Sequence, residues 1–318
     1  MKSFAFAPGK AILFGEHFIL YGCPALSIAI NLYSKALAEK RENGKIHIYS
    51  KNINVEKNLP KDLGDKAFKL IKLAVNEVLN IKPQSSGLTL TIDSQIPPAA
   101  GLGSSAATAV STIASTAELF NLNLTKDKII ELAFSPEKFI HGKPSGIDHA
   151  TSTLGGIIYY EYNSGFKKLN TSLEIQALIA YSGIPKATKE QIIKVKEYMD
   201  KNEKRKNVIL SEFKEVIASA IDALKNKDLE MLGKLMSQNQ KLLKEIKVSN
   251  HILDKIIKVA IENGALGAKI TGAGGGGSII ALITDENKEK VHKKLQEVSK
   301  EVYSIKIDFY GVQSGKID

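Results

Sequence analysis

Pro97 to Thr108, PPAAGLGSSAAT, joins a glycine-rich turn to the start of an apolar helix. Before it, Leu88, Leu90 and Ile92 alternate as in a half-buried strand; after it, Ala106, Val110, Ile113, Ala117 and Phe120 recur at helical spacing. Gly101 and Gly103 permit positive φ and remove the side chains that would hold backbone N–H groups away from an anion. Ser104 and Ser105 open the helix, where unpaired donors and the positive end of the helix dipole favour negative charge. By itself the segment fits two readings, a phosphate site and an ordinary helix start. It is not a Walker A loop, since no Lys follows its glycines in the required order, and the dinucleotide fingerprint is incomplete.

Working outward, the first half of the chain alternates strand-like and helical patterns. Phe4–Phe14, Ala25–Ala38 and Ile46–Ser50 read as extended, Asp62–Leu79 as a helix, Lys126–Ala133 as a second helix beyond the glycine loop, and Gly156–Glu161 as a strand. The second half carries four helical patterns, Lys186–Lys201, Glu203–Lys225, Asp228–Lys247 and His251–Asn263. Two strands, Ala268–Thr271 and Ser278–Thr284, follow, then a helix at Asn287–Lys300 and one closing strand with Tyr303, Ile305, Ile307 and Phe309 on one face. This is an α+β pattern in two domains, residues 1–170 and 171–318, divided where polar residues interrupt both patterns at Gly165–Ser172.

Composition narrows the function classes. The 318 residues are 43% hydrophobic and 25% charged, as in soluble globular proteins, and no apolar run approaches a membrane span. The N-terminal stretch is interrupted by Lys10 and Glu16 where a signal peptide would be apolar, so a cytoplasmic protein is expected, with no membrane partner. Cys23 is the only cysteine, which excludes an internal disulfide and a cysteine metal cluster and reads as a buried structural thiol. The net charge of +10 is almost entirely lysine, with Arg41 and Arg205 the only arginines. Lysine is the weaker choice for bidentate recognition, and in Lys186–Lys206 it alternates with Glu190, Glu197, Asp200 and Glu203 around Ile192, Val195 and Met199. That segment reads as a solvated helix face, and no nucleic-acid partner is expected.

Three further clusters carry chemistry. In APGKAILFGEHFILYGCPAL, Ala7 to Leu26, Pro8 and Gly9 predict a turn, and Lys10, Glu16 and His17 are polar groups in core-like sequence. Buried charges need partners, so these three either pair with one another or face a ligand. In ITGAGGGGSII, Ile270 to Ile280, four consecutive glycines exceed what a hairpin requires and suggest a backbone passing close to something, although a flexible connection is the alternative. In EKFIHGKPSGIDHATSTLGG, Glu137 to Gly156, Glu137 and Asp148 are the natural carboxylates for a metal and a base, and Pro144–Gly146 a turn that brings them together. His141 and His149 lack a third ligand at a recognised zinc spacing.

Together PGKAILFGEHFILYGCPA, PPAAGLGSSAA, HGKPSGIDHATSTLGG and KITGAGGGGS, in this order over the whole chain, resemble the GHMP small-molecule kinases. The resemblance implies a two-domain fold: an N-terminal α+β domain like that of a ribosomal protein and a C-terminal ferredoxin-like domain. The active site lies in the cleft between them, and the last strand is free to return to the first domain. The form GEHxxxYGxPA, seen here at Gly15–Ala25, implies the branch that transfers the γ-phosphate of ATP to the C5 hydroxyl of mevalonate. Another acceptor, phosphomevalonate among them, is the alternative within the family, and a basic nucleic-acid-binding protein on a related scaffold the alternative outside it.

The resemblance also implies roles. Pro98, Ala99, Ala100, Gly101, Leu102, Gly103, Ser104, Ser105 and Ala106 wrap the ATP phosphates, and Ser105 and Glu137 hold Mg²⁺. Asp148 takes the hydroxyl proton, and Lys10 keeps that aspartate ionised and stabilises charge on the reacting oxygen. Lys10, Glu16, His17, Asp148, Gly272, Ala273 and Gly274 contact the substrate. The small-molecule partners are mevalonate and ATP, and a homodimer is compatible with the resemblance. Ser278 departs from it, standing where many relatives have Cys.

Overall fold

A computed structural model describes all residues except 52–54, 59–65, 99, 143–144, 186–187 and 318; of 55–58 and 141 only the backbone is described. The first half builds strands β1 (Lys2–Phe14), β2 (Ala25–Arg41), β3 (Ile46–Ser50), β4 (Val55–Asn58), β5 (Gly87–Ser94), β6 (Ile157–Glu161) and β7 (Gly165–Leu169), with helices α1 (Lys66–Ile81), α2 (Ser104–Leu119), α3 (Lys126–His141) and α4 (Ile147–Leu154). The second half builds β8 (Gln176–Tyr181), α5 (Thr188–Lys201), α6 (Glu203–Asn226), α7 (Leu229–Glu245), α8 (His251–Glu262), β9 (Gly267–Thr271), β10 (Ser278–Ile283), α9 (Asp285–Gln296), β11 (Glu301–Lys306) and β12 (Gln313–Ile317). These elements form two sheets, one of eight strands with the order β12-β1-β2-β5-β3-β4 and the β6–β7 hairpin attached to β2, the other of four antiparallel strands with the order β11-β8-β10-β9. Counted along the chain from β8, the small sheet runs 4-1-3-2, the ferredoxin-like arrangement.

The helices start where the sequence supplies acceptors for their unpaired N–H groups. Thr125 accepts from the Lys128 N–H, Asp228 from that of Met231, and Asn250 from those of Ile252 and Leu253. Helix α2 differs: Gly103 caps it in a left-handed conformation with no side chain, leaving its first turn open to an outside acceptor. This helix is buried on nearly every side, between β1 and β2 on one face and α1, α3 and α4 on the other, which its Ala, Ser and Thr content permits.

Three local expectations are corrected. Pro8 and Gly9 do not turn the chain; they sit inside β1 at a shift of register, Pro8 opposite Tyr33 and Gly9 opposite Ile30. The polar stretch read as an interruption, Gly165–Ser172, begins with β7, an edge strand in which only Lys167 and Lys168 are exposed and whose alternation is too polar to stand out. The single closing strand is instead two. β11 ends at Lys306, Ile307 forms a bridge to Ile30 of the large sheet, and the chain crosses over to become β12, paired antiparallel with β1 from Lys2↔Ile317 to Phe6↔Gln313.

Asp308 organises that crossing. Its carboxylate accepts from the Tyr33 hydroxyl at 2.8 Å and from the Gly311 N–H at 2.6 Å, while its backbone bonds to Ala29 and Gly156. Gly311 and Gly155 pack backbone against backbone: a Cβ on Gly311, at φ 72°, would stand 2.2 Å from the Thr153 carbonyl. Cys23 is buried, and desolvation pushes its thiol up, consistent with a structural thiol.

Candidate active site

Three cavities meet at Asp148, in the first turn of α4. The largest, about 510 Å³, lies against the glycine loop and the start of α2 and is walled by Pro98, Gly101, Leu102, Gly103, Ser104 and Ser105, with Lys66, Leu70 and Ile140 opposite. A second, about 190 Å³, is bounded by Lys10, Gly101, Glu137, His149, Gly272 and Ala273. The third, about 180 Å³ and more apolar, is bounded by Ile12, Glu16, His17, Leu20, Ile147 and Ile192. Asp148 belongs to the wall of all three, and Lys10 to two.

Lys10 Nζ stands 3.0 Å from Asp148 Oδ1, the lysine nearly buried and the aspartate 27% exposed toward the cavities. β1 delivers this lysine, and the loop holds it from both sides: the Lys10 N–H donates to the Leu102 carbonyl at 2.9 Å, and a Cβ on Gly103 would come within 2.8 Å of Lys10 Cγ. Gly9 serves the same contact, since a Cβ there would lie 2.8 Å from the Leu102 carbonyl oxygen. The glycines thus allow a phosphate-type loop and a cation to share one small volume.

Of the other expected phosphate-loop residues, Ala100 and Ala106 are buried and not part of the cavity wall, and Ala99 lies outside the described residues. Ala100 instead braces the loop from behind, its carbonyl accepting from Ser278 Oγ at 2.9 Å. The residue that departs from the family pattern therefore ties the second glycine loop to the first.

The four-glycine stretch is not a flexible connection. A Cβ on Gly274 would come within 2.3 Å of the Val248 carbonyl, one on Gly275 within 2.2 Å of Gln191, and one on Gly276 within 2.7 Å of the Pro185 carbonyl. Gly272 and Ala273 reach the cavities, whereas Gly274 faces Val248 instead. Thr271 secures the base of the loop by accepting from the Ile12 N–H at 3.0 Å and donating to the Ile12 carbonyl at 3.1 Å.

Lys10, Glu16 and His17 do not pair with one another. Lys10 pairs with Asp148, His17 Nε2 donates to the Ala273 carbonyl at 2.7 Å, and Glu16 Oε1 pairs with Lys269 on β9. His17 holds a left-handed φ of 62°, a cost this contact with the glycine loop offsets. Burial raises the Glu16 carboxyl and lowers the Lys269 ammonium, their mutual attraction opposing both shifts.

Lys269 stands outside the roles expected from sequence, although a lone lysine in the apolar run GAKIT carries the same signal that singles out Lys10. Ile192, one of the apolar residues around which the charges of α5 alternate, is 38% exposed and sits at the rim of the third cavity.

Glu137, on α3, and His149, on α4, are both buried beside the second cavity. No group of three or more His, Cys, Asp or Glu suited to a metal occurs among the described residues, and the His141 side chain is not among them. His149 packs edge-on against Phe134, and burial pushes its imidazole down to about 4 while the Asp148 charge pulls the other way. An unfolded histidine near 6.5 takes up a proton before the folded one does, so this group removes stability as pH falls from about 6.5 toward 4. Thermal melts across that window are expected to show a shallower loss for His149→Asn than for the wild type; parallel curves would sink the assignment.

A large cavity at an uncapped helix start, joined through one carboxylate to two smaller cavities that share a lysine, is the arrangement of a small-molecule kinase. Residues 66–156 match the model of the GHMP kinases N terminal domain and residues 220–301 that of the GHMP kinases C terminal. The mevalonate kinase of Pyrococcus furiosus is 38% identical over 309 residues, 91% of each chain, and that of Methanocaldococcus jannaschii 34% over 318 residues, 94% of this chain and 98% of the relative. The crystal structure of the Methanococcus jannaschii mevalonate kinase superimposes with a TM-score of 0.86 at 32% identity, covering 96% of this chain and 98% of that one. That of L. major mevalonate kinase in complex with R-mevalonate gives 0.85 at 28%, covering 95% of each. The chain belongs to the GHMP kinases and, within them, to the mevalonate kinase family. Among the described residues no helix is long and apolar enough to cross a membrane.

Proposed function

We propose that the chain catalyses transfer of the γ-phosphate of ATP to the C5 hydroxyl of (R)-mevalonate. The observation that carries this reading is the position of Asp148 at the meeting point of the three cavities, paired with Lys10. ATP occupies the largest, its phosphates against Gly101, Gly103, Ser104 and Ser105 at the open start of α2. Mevalonate occupies the third, its C5 hydroxyl at Asp148. The small central cavity is where the two reacting ends meet.

In this arrangement Asp148 accepts the hydroxyl proton as the oxygen attacks phosphorus. Lys10 favours the negative charge of that carboxylate and of the oxygens around the transferring group. Since phosphoryl transfer needs mainly position and charge, one base, one cation and a fixed loop account for much of the machinery. The Lys10–Leu102 bond fixes the lysine to the phosphate loop, and the Ser278–Ala100 and His17–Ala273 bonds hold the two halves in register across the cleft.

Mg²⁺ fits the donors present. Glu137 puts a buried carboxylate beside the central cavity and Ser105 a hydroxyl at the end of the nucleotide cavity, both hard oxygen ligands of the kind this ion takes alongside phosphates and water. When bound, the ion would neutralise phosphate charge. Glu137→Gln is expected to raise the Mg²⁺ concentration for half-maximal rate on the order of tenfold, the scale at which metal sites respond to a lost supporting group. An unchanged metal titration would remove Glu137 from that role.

Identification of the product formed from mevalonate, ATP and Mg²⁺ tests the whole reading. 5-Phosphomevalonate with stoichiometric ADP supports it; phosphorylation of other small alcohols in a panel, with none of mevalonate, overturns it.

A further inference from the structure

Lys269 is fully buried, and its Nζ makes two contacts, an ion pair with Glu16 Oε1 and a donated hydrogen bond to the Ile270 carbonyl at 2.6 Å. Glu16 is also buried, yet its other oxygen, Oε2, accepts no well-formed hydrogen bond from any other described residue. A buried carboxylate oxygen without a donor is costly, and on the wall of a binding cavity a ligand that supplies the donor accounts for it. Glu16 belongs to the wall of the cavity assigned to the alcohol, with Asp148 on the same wall. One oxygen is therefore anchored from the second domain while the other is left for an occupant.

We propose that Lys269 is a positioning residue that holds Glu16 so that Oε2 accepts a hydrogen bond from a second hydroxyl of the acceptor, the one that is not phosphorylated. The inference rests on the acceptor assignment above. Chemistry selects the group: a carboxylate beside Glu16 would set two anions side by side, and the primary hydroxyl is held at Asp148. In mevalonate the tertiary C3 hydroxyl is the donor that remains. The chain thus reads the acceptor as a diol, and Lys269 imposes that requirement without touching it.

The test compares mevalonate with its analogue bearing hydrogen in place of the C3 hydroxyl, in the wild type, Lys269→Met, Glu16→Gln and the double variant, with thermal melts alongside. The wild type is expected to prefer mevalonate by about 100-fold or more in kcat/KM, since a site built around a hydroxyl rejects the analogue lacking it. Lys269→Met and the double variant are expected to lose about tenfold of that preference, with the KM for ATP unchanged. The double variant should melt above Lys269→Met, because no charge is left buried alone. A double variant that regains both stability and full preference makes the pair merely structural and overturns the proposal. So does a wild type that turns over both acceptors equally, a result independent of whether any variant folds. Failure of the wild type to phosphorylate mevalonate at all overturns the acceptor assignment itself, and the inference with it.

Discussion

Asp148→Asn is expected to lower kcat by about 10³-fold, within the range general base catalysis contributes, while leaving the KM for ATP within a few-fold of the wild type. The amide is isosteric, so the wall shared by the three cavities keeps its shape; what is lost is the acceptor for the hydroxyl proton and the partner of Lys10. Pre-steady-state and steady-state rates with saturating mevalonate and ATP check it. Near-normal turnover would remove the base assignment. A selective loss of nucleotide affinity would reassign Asp148 to binding.

Lys10→Met is expected to lower kcat by about 10²-fold, the scale of losing one preorganised charge contact in the transition state. Its effect on the KM for ATP should be much smaller, for a structural reason. The bond that ties β1 to the phosphate loop runs from the Lys10 backbone to Leu102, and Met keeps both that bond and the side-chain volume packed against Gly103. Equal losses in kcat and in ATP affinity would show that the ammonium holds the nucleotide rather than the reacting oxygen. Thermal melts belong beside the kinetics, because the substitution removes the Lys10–Asp148 ion pair and a loss of folding would otherwise pass for a loss of catalysis.

Much of this site is legible in the sequence because its signals are local. Gly101, Gly103, Ser104 and Ser105 announce an open helix start within a few residues, and Lys10 stands out as a charge in an apolar run. Their joint meaning comes from the resemblance, since no spacing rule joins Lys10 to Asp148 across the chain. What the sequence hides depends on contacts between distant segments. Lys269 acquires significance only when β9 comes to lie beside Glu16. Strand β8, although apolar, lies in a polar-flanked stretch where no strand is expected, and it is the strand β10 and β11 both pair with. β12, with its exposed alternation QSGKI, is specified by its partner β1 rather than by any hydrophobic pattern of its own.

That pairing has a consequence for how the molecule is made. Among the strands of the large sheet β1 leaves the ribosome first and β12 last, yet the two lie side by side from Lys2↔Ile317 onward. The outer edge of β1 therefore stays open while the intervening elements are synthesised, and the closing step joins segments with every other element of the fold between them. Contacts of that kind form slowly, because the loop must be closed before the pairing rewards it. A nascent chain halted before Gln313 would expose an unpaired sheet edge, a template for pairing with a second copy. A new start cut elsewhere, with Lys2 and Ile317 joined by a short linker, would turn this late non-local step into a hairpin.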